Sequence, residues 1–94
     1  MPIRDSLEFE WDEEKAAANL KKHGVDFWDA IRVFDDEDRI EYYDYAHSDE
    51  EDRFNTIGLV KDVLFVVYTE RRDAIRIISA RYANSAERRL YYDR

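Results

Sequence analysis

Residues 63–81 read VLFVVYTERRDAIRIISAR, and the interpretation of this stretch settles the architecture. Val63 to Tyr68 form a continuous apolar run with the length and β-branched content of a strand buried on both faces. It is expected at the centre of a sheet. After the polar tip Glu70, Arg71, Arg72 and Asp73 comes a second strand-like run, Ala74 to Ala80, whose side chains alternate between faces at period two. Alternation puts Ile75, Ile77, Ser79 and Arg81 on one face, and Arg76 on the other among Ala74, Ile78 and Ala80. A guanidinium in such a place is costly to bury alone. Arg76 therefore requires a carboxylate or a phosphate.

Upstream, Leu7, Phe9 and Trp11 alternate with acids, which predicts a short strand with one apolar side at a sheet edge. Asp12 is placed to cap a helix with Glu13 and Glu14 in its first turn and Lys21, Lys22 and His23 in its last, matching the helix dipole. Gly24 stops it. A second helix starts at Asp26, with Phe27, Ala30, Ile31 and Phe34 as an apolar stripe. Two helices so joined form an αα-hairpin that needs a sheet to cover it.

Asp35 to Asp38 end that helix, Arg39 to Tyr45 predict a strand, and His47 to Asp52 have loop composition. The tyrosines Tyr42, Tyr43 and Tyr45 suggest a cross-strand aromatic patch. Arg53 to Val60 predict a further strand, and Lys61 and Asp62 turn into the central one. In the last segment Asn84 can cap a helix and Glu87 can answer it. Arg88, Arg89 and Arg94 are left to solvent. The fold class is α+β: an N-terminal strand and helix pair packed on an antiparallel sheet of about four strands, with a C-terminal helix. Residues 1–94 are expected to form one domain.

The chain has 94 residues, no cysteine and a net charge of -8. Thiolate chemistry and disulfides are thus excluded. No apolar run approaches the roughly 20 residues of a membrane span, and the first ten residues lack the apolar core of a signal peptide, so a cytoplasmic protein is expected. The acidic balance argues against nucleic acid until its distribution is considered. Residues 71–94 carry 7 Arg against 3 acids, whereas residues 1–70 carry 8 Lys and Arg against 20 acids. One basic face on an acidic body fits these counts, and so does a solvated basic helix.

No phosphate-binding Gly-rich loop, zinc-type spacing or nucleophile elbow is present. Four separated blocks do carry a resemblance: FEWDEEKAAANLKKHGVDF (Phe9 to Phe27), VFDD (Val33 to Asp36), RFNTIG (Arg53 to Gly58) and YTERRDAIRIISARYANSAERRLYYD (Tyr68 to Asp93). In order and spacing they resemble the BrnT family of type II toxins over most of the chain, with residues 37–52 matching least. The resemblance implies a compact fold similar to RelE-type ribonuclease toxins, with RNA cleavage that inhibits translation. It further implies a BrnA-like ribbon-helix-helix antitoxin, with operator DNA contacted only through the toxin–antitoxin complex. No cofactor is implied.

RNA cleavage without a metal uses the 2′-hydroxyl as nucleophile, so it needs a base, cations for the pentacoordinate phosphate and an acid for the leaving oxygen. Arginine suits the cationic role because its planar fork pairs with phosphate oxygens. Arg76 and Arg81 are the first candidates, followed by Arg53 and Arg71. Against this stands an ion pair of Arg76 with a carboxylate such as Glu70 across the hairpin. Glu70 is the candidate acidic participant, although its position also suits a salt bridge. His47 can transfer protons near neutral pH or be an ordinary surface histidine. His23 fits a dipole partner better than a catalyst. Tyr82 and Tyr91 suit base stacking or packing of the last helix. Asp35 to Asp52 hold ten acids against one arginine. That stretch repels RNA unless it faces away from the site, reflects salt adaptation, or receives a basic stretch of antitoxin. A non-catalytic binding module serving antitoxin pairing and operon control is the alternative function, and an unrelated acidic adaptor is a third.

Overall fold

The computed structural model describes residues 3, 4 and 7–93. Its strands are β1 (Ile3–Arg4), β2 (Leu7–Glu10), β3 (Ile40–Tyr43), β4 (Arg53–Leu59), β5 (Val63–Arg71) and β6 (Ala74–Tyr82). The helices are α1 (Glu13–His23), α2 (Phe27–Ala30), continued by a 3₁₀ segment Ile31–Asp35, and α3 (Ser85–Tyr92). The sheet order is β1-β2-β6-β5-β4-β3. From β3 to β6 the chain is an antiparallel meander, with β5 near the middle. The sheet is larger than the expected four strands, because β1 and β2 extend it past β6. Nor is β2 at the edge: β1 lies outside it, and β2 itself runs parallel to β6. The helix pair and the meander separate β2 from β6 in sequence, and a connection of that length permits a parallel neighbour.

Local signals set the helix ends. The Asp12 side chain accepts from the N–H groups of Glu14 and Lys15 at 2.9 and 3.2 Å. Gly24 closes α1 with φ of 72°, a left-handed conformation open to glycine at little cost. Asn84 and Glu87 form a reciprocal capping box at α3. The stripe from Phe27 to Phe34 is buried as expected, but its second half winds as a 3₁₀ segment. Arg94 lies outside the described residues.

Strand alternation divides the core. On one face, Phe9, Leu64, Val66, Tyr68, Ile77 and Ala80 of the sheet pack with Trp11 and with Phe27, Ile31 and Phe34 of the helical layer. On the other, Ile57, Val63 and Phe65 meet Tyr91 of α3. Gly58 permits the close approach of the 3₁₀ segment, since a Cβ there would sit 2.9 Å from Cβ of Val33.

The β5–β6 ladder is not regular. Val67 pairs with Ser79 and the next residue, Tyr68, pairs with Ile77, leaving Ile78 as an extra residue in β6. A bulge of this kind reverses the facing of everything beyond it. The strict alternation expected for Ala74 to Ala80 therefore fails at one residue. Ala80 joins Ile77 in the core, while Arg81 turns to the face of Arg76.

Candidate active site on an arginine-bearing sheet face

Register alone builds the site. Three rows of laterally paired residues cross the face opposite the helix pair. Ile40, Ile57, Phe65 and Arg81 form one, Tyr42, Asn55, Val67 and Ser79 the next, and Arg53, Thr69, Arg76 and Glu10 the third. Arg53 and Arg76 thus flank Thr69 two strands apart, about 10 Å at the backbone. Arg81 shares their face because of the bulge. α3 covers the end of the face around Ile57 and Phe65. The side chains of Arg53, Arg76 and Arg81 remain 37%, 24% and 34% exposed.

Each arginine has a carboxylate. Arg76 donates to Glu10 at 2.7 Å, so its partner comes from β2 and not from Glu70 across the hairpin. Arg81 makes two parallel hydrogen bonds to Glu87 at 2.8 and 2.9 Å and lies 4.2 Å from the Phe65 ring centroid. Arg53 and Arg71 share Glu51 at 3.9 and 3.8 Å, beyond hydrogen-bond range. The two leading candidates are therefore firmly paired, and the two behind them loosely.

The Arg81–Glu87 pair shifts both groups. Hydrogen bonding to Glu87 raises the Arg81 pKa against partial burial. Burial raises the Glu87 carboxyl pKa, but the Arg81 hydrogen bonds, the Asn84 N–H and the Arg81 charge outweigh it, and the net shift is downward. Desolvation and the charge of Glu87 push the Tyr42 phenol up, opposed by a hydrogen bond with Asn55 and by Arg81. On the helix side, burial and Glu41 raise the Tyr68 phenol well above its ordinary value.

The other candidates scatter. Alternation along β5 turns Glu70 away from Arg53 and Arg76. His47 is exposed, contacts Asp44 at 3.0 Å, and lines a shallow depression with Arg53 and Glu51. His23 ends α1. Tyr91 is buried and donates to Asp36, so packing is its use, whereas Tyr82 is exposed. Of the tyrosine patch, Tyr43 and Tyr45 stack edge to face at 4.6 Å, while Tyr42 lies in the Asn55 row. Sequence reasoning missed Glu10, Glu51 and Asn55. The signal for Glu10 is its acidic place in an alternating strand, but its partner depends on a parallel pairing that no local pattern announces. Among the described residues, no three His, Asp or Glu side chains gather as a metal-binding group.

Residues 11–87 match the family model of the ribonuclease toxin BrnT of type II toxin–antitoxin systems. The chain belongs to the BrnT family. A crystal structure of the Brucella abortus ribonuclease toxin BrnT has a similar fold, with a TM-score of 0.68 and 26% identity over 84% of this chain and 99% of that one. No curated protein matches in sequence. Family membership makes this chain a toxin-type ribonuclease with RNA as its substrate class and an antitoxin as its counterpart. The BrnT fold agrees with the expected α+β class. No helix among the described residues is long and apolar enough to cross a membrane.

Proposed function

We propose that the arginine face grips RNA phosphate and cleaves the strand without a metal ion, arresting translation in the cytoplasm until a BrnA-like ribbon-helix-helix antitoxin neutralises it. Contact with operator DNA runs through that antitoxin. The observation that carries this reading is the placement of Arg53, Arg76 and Arg81 on one face by register and bulge. In the reaction the 2′-oxygen attacks phosphorus and loses its proton, the bond to the 5′-oxygen breaks, and that oxygen gains a proton. Cyclic phosphate and a 5′-hydroxyl result. The guanidinium groups stabilise the added charge on the phosphate oxygens. Phosphate competing for Arg76 or Arg53 frees Glu10 or Glu51 to take the 2′-proton, and His47, at the rim beside Arg53, can supply one to the leaving oxygen.

Arg53→Ala and Arg76→Ala should each relieve growth arrest on expression while the protein stays folded by circular dichroism. Full toxicity in both would remove the site assignment. The firm pairing of Arg76 and Arg81 with Glu10 and Glu87 favours a second reading, in which the arginines are structural and the chain binds antitoxin without cleaving. Incubation of the purified chain with RNA in excess chelator separates the two. Cleavage that persists with chelator and disappears in Arg76→Ala rejects the binding module.

A further inference from the structure

Two polar atoms on the arginine face are buried without a hydrogen-bond partner: Nε of Arg53 and Oδ1 of Asn55. The Asn55 residue is only 7% exposed. Both residues belong to β4 and, two positions apart, share its face, with backbones separated by about 7 Å. One atom is a donor and the other an acceptor. An unmet buried polar atom destabilises a fold, and here two unmet atoms of opposite character belong to neighbouring residues on one strand face.

A single ligand group satisfies both if it accepts from Arg53 and donates to Asn55. A phosphate oxygen accepts but has no proton to give at neutral pH. A hydroxyl does both, and the ribose 2′-hydroxyl is the hydroxyl that separates RNA from DNA. Both atoms are closed to solvent, so a ligand reaches them only when neighbouring side chains move, and the Arg53 head group is the loosely held one. Its contact with Glu51 spans 3.9 Å, too long for a hydrogen bond, so little holds it in place.

We infer that Arg53 and Asn55 form a subsite for a ribose 2′-hydroxyl, which selects RNA over DNA. This rests on the reading of the arginine face as the RNA-binding surface. Asn55 is a substrate-binding residue in this assignment, not the proton acceptor. Removing its amide eliminates one unmet polar group, so Asn55→Ala should keep the fold while losing discrimination. A structural role predicts the reverse, a less stable protein with discrimination intact.

The test is fluorescence anisotropy with the full chain and a labelled 12-nucleotide RNA of mixed sequence, beside its all-2′-deoxy and all-2′-fluoro counterparts. Gel electrophoresis of each sample after the reading checks that the RNA probe is still intact, so that cleavage does not obscure binding. Wild type should bind the RNA about tenfold or more tighter than either analogue, the size of a hydrogen bond to a charged group. In Asn55→Ala the three affinities should converge, with the thermal midpoint unchanged or higher. Equal affinity of wild type for all three probes, weakened throughout by Arg76→Ala, overturns the subsite and leaves the phosphate-binding face standing. Binding to none of them overturns both. Discrimination that survives in Asn55→Ala overturns the assignment of that residue.

Discussion

β2 runs beside β6 only as far as Arg76, and beyond that point Asn19 of α1 does for Ala80 what a neighbouring strand would. Its amide donates to the Ala80 carbonyl at 2.8 Å and accepts from the Ala80 N–H at 3.1 Å, and it also donates to the Val25 carbonyl at 3.0 Å. With Asn19 7% exposed, Asn19→Ala leaves buried backbone groups unmet. A loss of about 2–4 kcal/mol in chemical denaturation is expected. Glu87 makes a pH-dependent contribution. Its folded pKa lies below the ordinary value of about 4.5, so its stabilisation is complete above that pH and fades as pH falls through the folded value. Glu87→Gln should therefore cost about 1–2 kcal/mol near neutrality. Its stability curve should meet that of wild type in acid. Parallel curves down to acid unfolding would show that the Arg81–Glu87 pair contributes nothing.

Elements differ in how visible they are in a sequence. The caps at Asp12, Gly24 and Asn84, and the limits of β4 and β6, depend on neighbours a few residues away, so local pattern predicts them. The extra residue at Ile78 is different. It depends on where β5 and β6 meet, and nothing in IRIISAR marks one position as the bulge. A local reading thus placed Arg76 and Arg81 on opposite faces, although it named both as candidates. The parallel partner of β2 was hidden for the same reason, and with it the Arg76–Glu10 pair. Deleting Ile78 tests the bulge directly. With the extra residue gone, the pairs Tyr68–Ile77 and Val67–Ser79 follow one another in a regular ladder, so Ala80 and Arg81 keep their faces and the protein should stay folded in a thermal melt. Growth arrest should be retained, and an unfolded deletion variant would show that Ile78 is not a dispensable extra residue. Gly58→Ala probes the contact between the 3₁₀ segment and β4. Backbone and Cβ atoms of Val33 lie within 3.3 Å of the new methyl, so overpacking should cost about 1–3 kcal/mol in denaturant titration.

For the molecule as a whole, the question is how a chain of net charge -8 holds a polyanion. The arginines supply short-range contacts, while the acids act over longer distances and are screened by salt. The loop acids Asp49, Glu50 and Glu51 stand beside Arg53 around one depression, so the repulsive and attractive charges meet at the edge of the site. If three arginines contact phosphate, log affinity for single-stranded RNA should fall against log salt with a slope of roughly -2. Arg53→Ala should make that slope shallower by about 0.7, the share of one phosphate contact. The double variant Asp49→Asn, Glu50→Gln removes repulsion without removing a contact. It should bind RNA more tightly at low salt, with the advantage vanishing near 1 M, where the screening length is about 3 Å. An advantage that persists at high salt would mean that these acids shape the loop locally. An Arg53→Ala slope equal to that of wild type would mean that phosphate does not reach β4.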